Sequence, residues 1–225
     1  MKIPFLSQLP LFKGISPKEL EILLPKLKIH TREYQKGEII YHAGDKTNKM
    51  GILVNGKIQL ETTDLWGTHY ILQELQPKSM FAYYYMYLND ESIMVDMVST
   101  ENSVVVFLDA DTILKISATN PIVIQNLFKI CAQQNLDLSR KIYHTSYKTI
   151  RGRLRAYLSY EAKRQNDTTI TIPFDRQSLA DYLNVDRSAL SNELSKMQKE
   201  GLLEVQKNHF TFNLCSLPKQ KNEGE

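Results

Sequence analysis

The chain has 225 residues, 42% hydrophobic and 24% charged, enough for one or two domains with a real core; a chain disordered throughout, a collagen-like chain and a low-complexity scaffold are excluded. No apolar run approaches the roughly 20 residues of a bilayer span, and Met1–Phe12 lacks the apolar region and cleavage site of a signal peptide, so a cytoplasmic protein with no membrane partner is expected. The net charge of +3 is uneven: residues 1–145 balance 15 basic against 15 acidic side chains, while residues 146–225 hold 13 against 10, and Glu223 and Glu225 of that second set fall in a polar tail that is expected to fray. A neutral body with a basic end points to a polyanion partner for that end.

Residues 1–30 read as short helices. Ser16-Pro17-Lys18-Glu19 sets an N-cap serine, a first-turn proline and a glutamate three places on, ahead of Leu20, Leu23 and Leu24. From Thr31 to Asp111 the style changes to short runs of Ile, Val, Tyr, Phe and Thr, broken at Gly37, Gly44-Asp45, Asn55-Gly56, Trp66-Gly67 and Asn89-Asp90. Strands at this spacing predict a barrel, sandwich or roll. Gly51–Leu60 reads as its clearest element, a hairpin turning at Asn55-Gly56.

Asn120-Pro121 opens a helix on which Ile124, Phe128, Cys131, Asn135, Leu138, Ile142 and Thr145 recur in steps of four and three. Such a stripe either pairs with a second copy or packs on its own β-domain; its three heptads favour pairing, with Asn135 setting the register. Cys131 and Cys215 are too few for a disulfide framework. Thr149–Arg164 reads as a further helix, with Leu154 and Leu158 inward and Arg151, Arg153, Arg155, Lys163 and Arg164 outward.

The most informative stretch is Phe174–Leu203. Asp175 caps a short helix with Leu179, Ala180 and Leu183 inward; Asn184-Val185 turns the chain; Asp186 caps a second helix that Gly201 ends. This is a helix-turn-helix. In its second helix Leu190, Leu194 and Met197 face the core, leaving Arg187, Ser188, Ser191, Asn192, Ser195, Lys196 and Lys199 outside. A recognition helix needs that mix: arginine for the two guanine acceptors, asparagine for adenine, serine and lysine near phosphates. Arg187 leads for base readout, then Asn192 and Ser188, with Ser191 and Lys196 beside them. Leu202–Val205 and Phe210–Phe212 alternate as the strands of a wing around Lys207-Asn208, so Lys207 and Gln177 are expected at phosphates. A protein-binding module is the competing reading; salt dependence separates the two, because phosphate contacts release counterions.

Catalysis is not expected. His30, His42, His69, His144 and His209 form no close pair with a carboxylate, so no metal site is expected; no nucleophile elbow, Walker loop or dinucleotide fingerprint occurs, and no cofactor is expected.

Taken together these features resemble the Crp/Fnr family of transcription regulators along nearly the whole chain. Gly37-Glu-Ile-Ile-Tyr-His-Ala-Gly-Asp45 and Leu53-Val-Asn-Gly-Lys-Ile-Gln-Leu60 are similar to its cyclic-nucleotide-binding-type β-roll, the heptad helix to its dimerisation helix, and the C-terminal third to its DNA-binding domain. The resemblance implies an α+β chain: a β-roll or jelly-roll effector domain over residues 1–118, a dimerisation helix over 119–147, a winged helix-turn-helix domain over 148–220 and a tail over 221–225. It implies a homodimer on a two-fold related site in double-stranded DNA, with RNA polymerase as a further partner.

The chain also departs from the family. Where nucleotide-binding members place a Gly-Glu pair, Ala82-Tyr83 stands, and around Ile93-Met94 there is no arginine for the phosphate. No lysine or arginine lies between Lys78 and Lys115 to offset a buried phosphodiester, so cyclic AMP is not expected to bind. The N-terminal half has no cysteine for an iron–sulfur cluster. Phe81, Ala82, Tyr83, Tyr84, Ile93 and Met94, with Leu138 and Ser139 where family ligand contacts fall, either pack the roll shut or line a pocket for an unknown apolar or aromatic small-molecule effector. Packing shut is the commoner use of such side chains.

Overall fold

The computed structural model describes residues 3–88 and 90–213. Asn89 of the Asn89-Asp90 turn, Cys215, Glu223, Glu225 and the 221–225 tail lie outside the described residues. The chain divides into two compact units, Met1–Gln133 and Gln134–Glu225.

The first unit opens with α1 (Ile3–Leu6) and α2 (Pro17–Leu23). Ser16 caps α2 through the expected capping box: the Glu19 N–H donates to Ser16 Oγ, and the Glu19 carboxylate accepts from the Ser16 N–H at 2.9 Å. Strands follow as β1 (His30–Tyr34), β2 (Ile39–Tyr41), β3 (Lys49–Asn55), β4 (Ile58–Thr63), β5 (His69–Leu75), β6 (Met80–Phe81), β7 (Asp96–Ser99) and β8 (Ser103–Asp109). They form two antiparallel four-stranded sheets, in the orders β1-β8-β3-β6 and β2-β7-β4-β5.

The period-two alternation of β8 explains its central place. Val105 and Phe107 face one core between the sheets, with Tyr34, Ile40, Leu53, Ile58 and Met97. Val106 and Leu108 face a second core, made with the N-terminal helices and with α3 (Ala110–Thr119) and α4 (Pro121–Thr145). The sequence pattern predicts strands as far as Asp111 and a helix from Asn120; the amphipathic α3, with Ile113 and Ile116 buried, lies between.

The expected Asn55-Gly56 hairpin does not form. Gly56 is left-handed (φ 91°) as the turn requires, but it hands the chain from one sheet to the other: β3 pairs with β8 and β6, β4 with β5 and β7. Two causes are visible. β3 is apolar on both faces and belongs between two strands, and the turn packs on β8, whose Ser103 Oγ accepts from the Lys57 N–H at 3.2 Å. A Cβ on Gly56 would fall 2.2 Å from that Oγ. The true hairpin is β4–β5, where Asp64 Oδ1 accepts from the N–H groups of Trp66 and Thr68, both at 2.9 Å.

α4 spans the division between the units. In the first unit Val123 and Leu127 are buried, and Asn126 Nδ2 donates to the carbonyls of Leu11 and Lys13 at 3.0 and 2.8 Å. Ile124 of the heptad set packs partly on this core, whereas Phe128, Leu138 and Ile142 are 69%, 60% and 67% exposed and Cys131 and Asn135 are exposed too.

The second unit continues with α5 (Ile150–Gln165), β9 (Thr169–Thr171), α6 (Arg176–Leu183), α7 (Arg187–Lys199), β10 (Leu203–Gln206) and β11 (His209–Phe212). Leu154, Leu158, Leu179, Leu183, Leu190, Leu194, Met197 and Phe210 share one core. The sheet order is β10-β11-β9; the three-residue β9, absent from the sequence reading, pairs Ile170 with Phe210. Among the described residues no helix is long and apolar enough to cross a membrane.

Candidate nucleic-acid interface

Two capped helices position the interface. Asp175 accepts from the Ser178 N–H at 2.7 Å and Asp186 from the Ala189 N–H at 2.9 Å. The Ser178 backbone N–H holds the Asp175 carboxyl below the usual range, with the Arg187 charge contributing; the Ser188 hydroxyl does the same for Asp186, followed by the Ala189 N–H. Between the helices Asn184 takes the left-handed conformation (φ 54°), which asparagine tolerates.

α7 turns Leu190, Leu194 and Met197 into the core and exposes Arg187, Ser188, Asn192, Ser195, Lys196 and Lys199; Ser191 is half-buried. Arg187 and Asn192 carry no hydrogen bond or ion pair among the described residues, so both side chains are available to base edges. Ser188 is committed differently, because its Oγ donates to the Asp186 cap. Ser195 Oγ donates back to the Ser191 carbonyl. The Gln177 amide donates to Asp181 one turn along α6, at 2.8 Å. Lys207 is exposed at the wing tip in a left-handed conformation (φ 55°), in a turn held down by Asn208 Nδ2 donating to the Ile172 carbonyl at 3.0 Å.

Of the α5 cations expected to face outward, Arg155, Lys163 and Arg164 are exposed, whereas Arg151 and Arg153 turn onto neighbouring elements. Arg151 turns across to α7, donating through Nη1 and Nη2 to the two oxygens of Glu200 at 2.8 Å each and through Nε to Glu193. This pairing pulls the Glu200 carboxyl below its usual range. Arg153 Nη1 donates to the carbonyls of Leu183 and Asn184 at 3.0 and 2.8 Å, fastening the helix-turn-helix bend. Arg164 closes on Glu161. Long side chains can fold back onto neighbouring elements where carbonyls or carboxylates lie within reach, so Arg151 braces the recognition helix and Arg153 the bend before it, while Arg164 stays exposed on α5. Arg176, which the sequence pattern does not mark, lies with its guanidinium 6.0 Å from the Phe210 ring centroid and Nη2 reaching the Lys207 carbonyl at 3.4 Å. A basic residue beside a helix cap was its only signal.

In the first unit the side chains singled out around the roll part company. Phe81, Ala82 and Ile93 are buried between the sheets, with the Phe81 and Phe107 rings edge to face at 6.4 Å. Tyr85, next to them, accepts through its hydroxyl from the Met94 N–H at 3.2 Å. Tyr83 belongs to the other core, where burial pushes its hydroxyl pKa up and leaves the group without a hydrogen-bond partner among the described residues. Tyr84 is 45% and Met94 78% exposed; Leu138 and Ser139, on α4, are exposed as well. No group of three metal-ligating side chains occurs among the described residues.

Residues 31–120 match the family model of the cyclic nucleotide-binding domain, and residues 152–217 that of the Crp-like helix-turn-helix domain. The chain belongs to the Crp/Fnr family of transcription regulators. As a Crp/Fnr protein it is a DNA-binding regulator of α+β architecture. It is 24% identical over 196 residues to a cyclic AMP receptor protein of Thermus thermophilus, covering 87% of this chain and 88% of the relative. It is 22% identical over 214 residues to an anaerobic regulatory protein of Pasteurella multocida, covering 92% and 77%. In fold it is similar to a solved structure of CprK complexed with OCPA (TM-score 0.62, 20% identity, 89% of this chain and 94% of that one).

Proposed function

We propose that this Crp/Fnr protein works in the cytoplasm as a homodimer that reads a two-fold symmetric DNA site, with half-sites about one helical turn apart, and is competent without a cyclic nucleotide. The observation that carries the reading is the free polar face of α7, with Arg187 and Asn192 uncommitted on a helix braced by Arg151 and Arg153. Arg187 and Asn192 read bases, Ser191 and Lys196 support them, and Lys207 meets phosphate. Ser188 and Gln177 join them at the DNA by exchanging their internal partners for phosphate oxygens.

The exposed stripe Phe128, Cys131, Leu138 and Ile142 supports pairing of α4 with its twin, Asn135 setting register and Ile124 contributing from its half-buried position. The aromatic packing around Phe81 supports independence from cyclic AMP: Phe81 is buried in the core between the sheets, and Tyr85 binds the segment where an arginine would be needed. The protein acts by binding and not by catalysis, with RNA polymerase as the partner met at the promoter.

The test is capture and sequencing of genomic fragments by the purified full-length protein at physiological salt with no effector added. Enrichment of one shared two-fold symmetric sequence is expected. Enrichment of asymmetric sequences would overturn the dimeric reading. Enrichment appearing only after cell extract is added would favour the second reading, a regulator gated by a small molecule, over a roll packed shut.

A further inference from the structure

We propose that the winged-helix unit holds a ligand site of its own, one that takes a small amphipathic anion: an apolar body with a single carboxylate or similar head. The site is a cavity of about 320 Å³ between α5, the core side of α7 and the wing strands. Its walls are Leu158 and Ala162 of α5, Met197 of α7, Leu202, and Leu203 and Phe212 of the wing. Leu158, Met197 and Leu203 are 1%, 3% and 2% exposed, so the apolar surface is built into the core of the unit and is not a loose patch. That volume lies at the small end of ligand cavities, room for a molecule of about a dozen non-hydrogen atoms and not for a peptide.

The mouth supplies the charge. Arg155, Ser159 and Lys163 line it at steps of four along one face of α5. Arg151, Arg153 and Arg164 on the same helix are spent on Glu200, on backbone carbonyls and on Glu161. Arg155 and Lys163 have no hydrogen-bond or ion-pair partner among the described residues. Two uncommitted cations and a hydroxyl stand over an apolar cavity, and Asp167, the one acid on the rim among the described residues, already accepts from the Thr169 N–H at 2.9 Å. An apolar chain fills the interior while its anionic head meets the paired cations through charge-assisted hydrogen bonds. The ligand would touch α5, the recognition helix and the wing together.

The probe is decanoate, used below its micellar range, with decylammonium as the charge-reversed control. Calorimetric titration of the full-length protein, and the NMR signals of methionine methyls labelled with carbon-13, report binding. One saturable decanoate site per chain is expected, with the Met197 methyl shifting and decylammonium at least tenfold weaker. The double variant Arg155→Gln, Lys163→Gln, which alters only surface cations, should lose at least tenfold in decanoate affinity; Ala162→Phe should block binding by filling the cavity. Absence of saturable binding, equal binding of the two probes, or an undiminished affinity in the double variant would overturn the proposal. A variant ending at Asn213 should bind as the full chain does; binding seen only in that variant would mean that residues 214–225 occupy the cavity, which overturns it too.

Discussion

The Phe81 ring lies so close over Gly51 that a Cβ on the glycine would sit 2.2 Å from the ring Cζ. Gly51, in the middle of β3, is what lets an aromatic side chain fill the space between the sheets. Phe81→Ala should therefore leave a cavity and cost about 3–5 kcal/mol, read as a lowered melting temperature with DNA-site selection retained. Gly51→Ala should destabilise as well, by pushing the ring off its seat. A Phe81→Ala protein as stable as the wild type would show that the ring is not part of the core.

Arg187→Ala should weaken binding at the cognate site by about 1–3 kcal/mol and relax preference at one base pair in each half-site. Titration on cognate and random duplexes checks it. Equal losses on both would place the guanidinium on phosphate instead.

Leu138 is 60% exposed on α4. Leu138→Glu should put like charges across the seam of paired helices and shift the protein toward monomer in sedimentation. A variant that sediments as a dimer with unchanged affinity would remove α4 from the interface.

His144 predicts a pH dependence. Its ring is 1% exposed among Tyr157, Tyr160 and Tyr182; Nδ1 bonds the Tyr182 hydroxyl at 2.9 Å, and Nε2 has no hydrogen-bond partner among the described residues. Burial holds its pKa below the ordinary value, the charge on Glu161 opposing and that on Arg140 assisting. The folded unit thus binds fewer protons than the unfolded chain in this range, and stability is intact above about pH 6.5 and falls as the pH drops below it. Melting at pH 7.5 and 5.5 should show that loss in the wild type and a smaller one in His144→Gln. Parallel losses would assign the effect to another group.

The parts legible in the sequence are those decided locally. Ser16, Asp175 and Asp186 announce their helices because a cap and the N–H it satisfies are three residues apart. The inward leucines of α6 and α7 and the Lys207-Asn208 wing turn follow from spacing alone. Strand partners do not: β3 and β4 are adjacent in the chain and read as a hairpin, yet what β3 needs is two apolar neighbours, which β8 and β6 supply from far along the chain. Nor is the direction of a long side chain readable; Arg151 and Arg153 look like solvent-facing charges until Glu200 and the Leu183 carbonyl are folded up beside them. β9 escaped notice because three residues carry too little pattern to be told from a loop.

The strand order of the roll also has a bearing on how the protein is made. β1, which starts at His30, and β3 both wait for β8, which ends at Asp109, before either has that neighbour. During synthesis β3 therefore emerges with Met50, Ile52 and Leu53 uncovered, and while β6 can take one edge early, the edge that β8 takes stays open until Asp109 has been made. Long-range pairing of this kind is slow to form, whereas each helix of the winged-helix unit is nucleated by its own cap. The roll is accordingly the half of the molecule most dependent on chaperones at birth, and the half in which weakened β8 packing shows first as lost soluble yield.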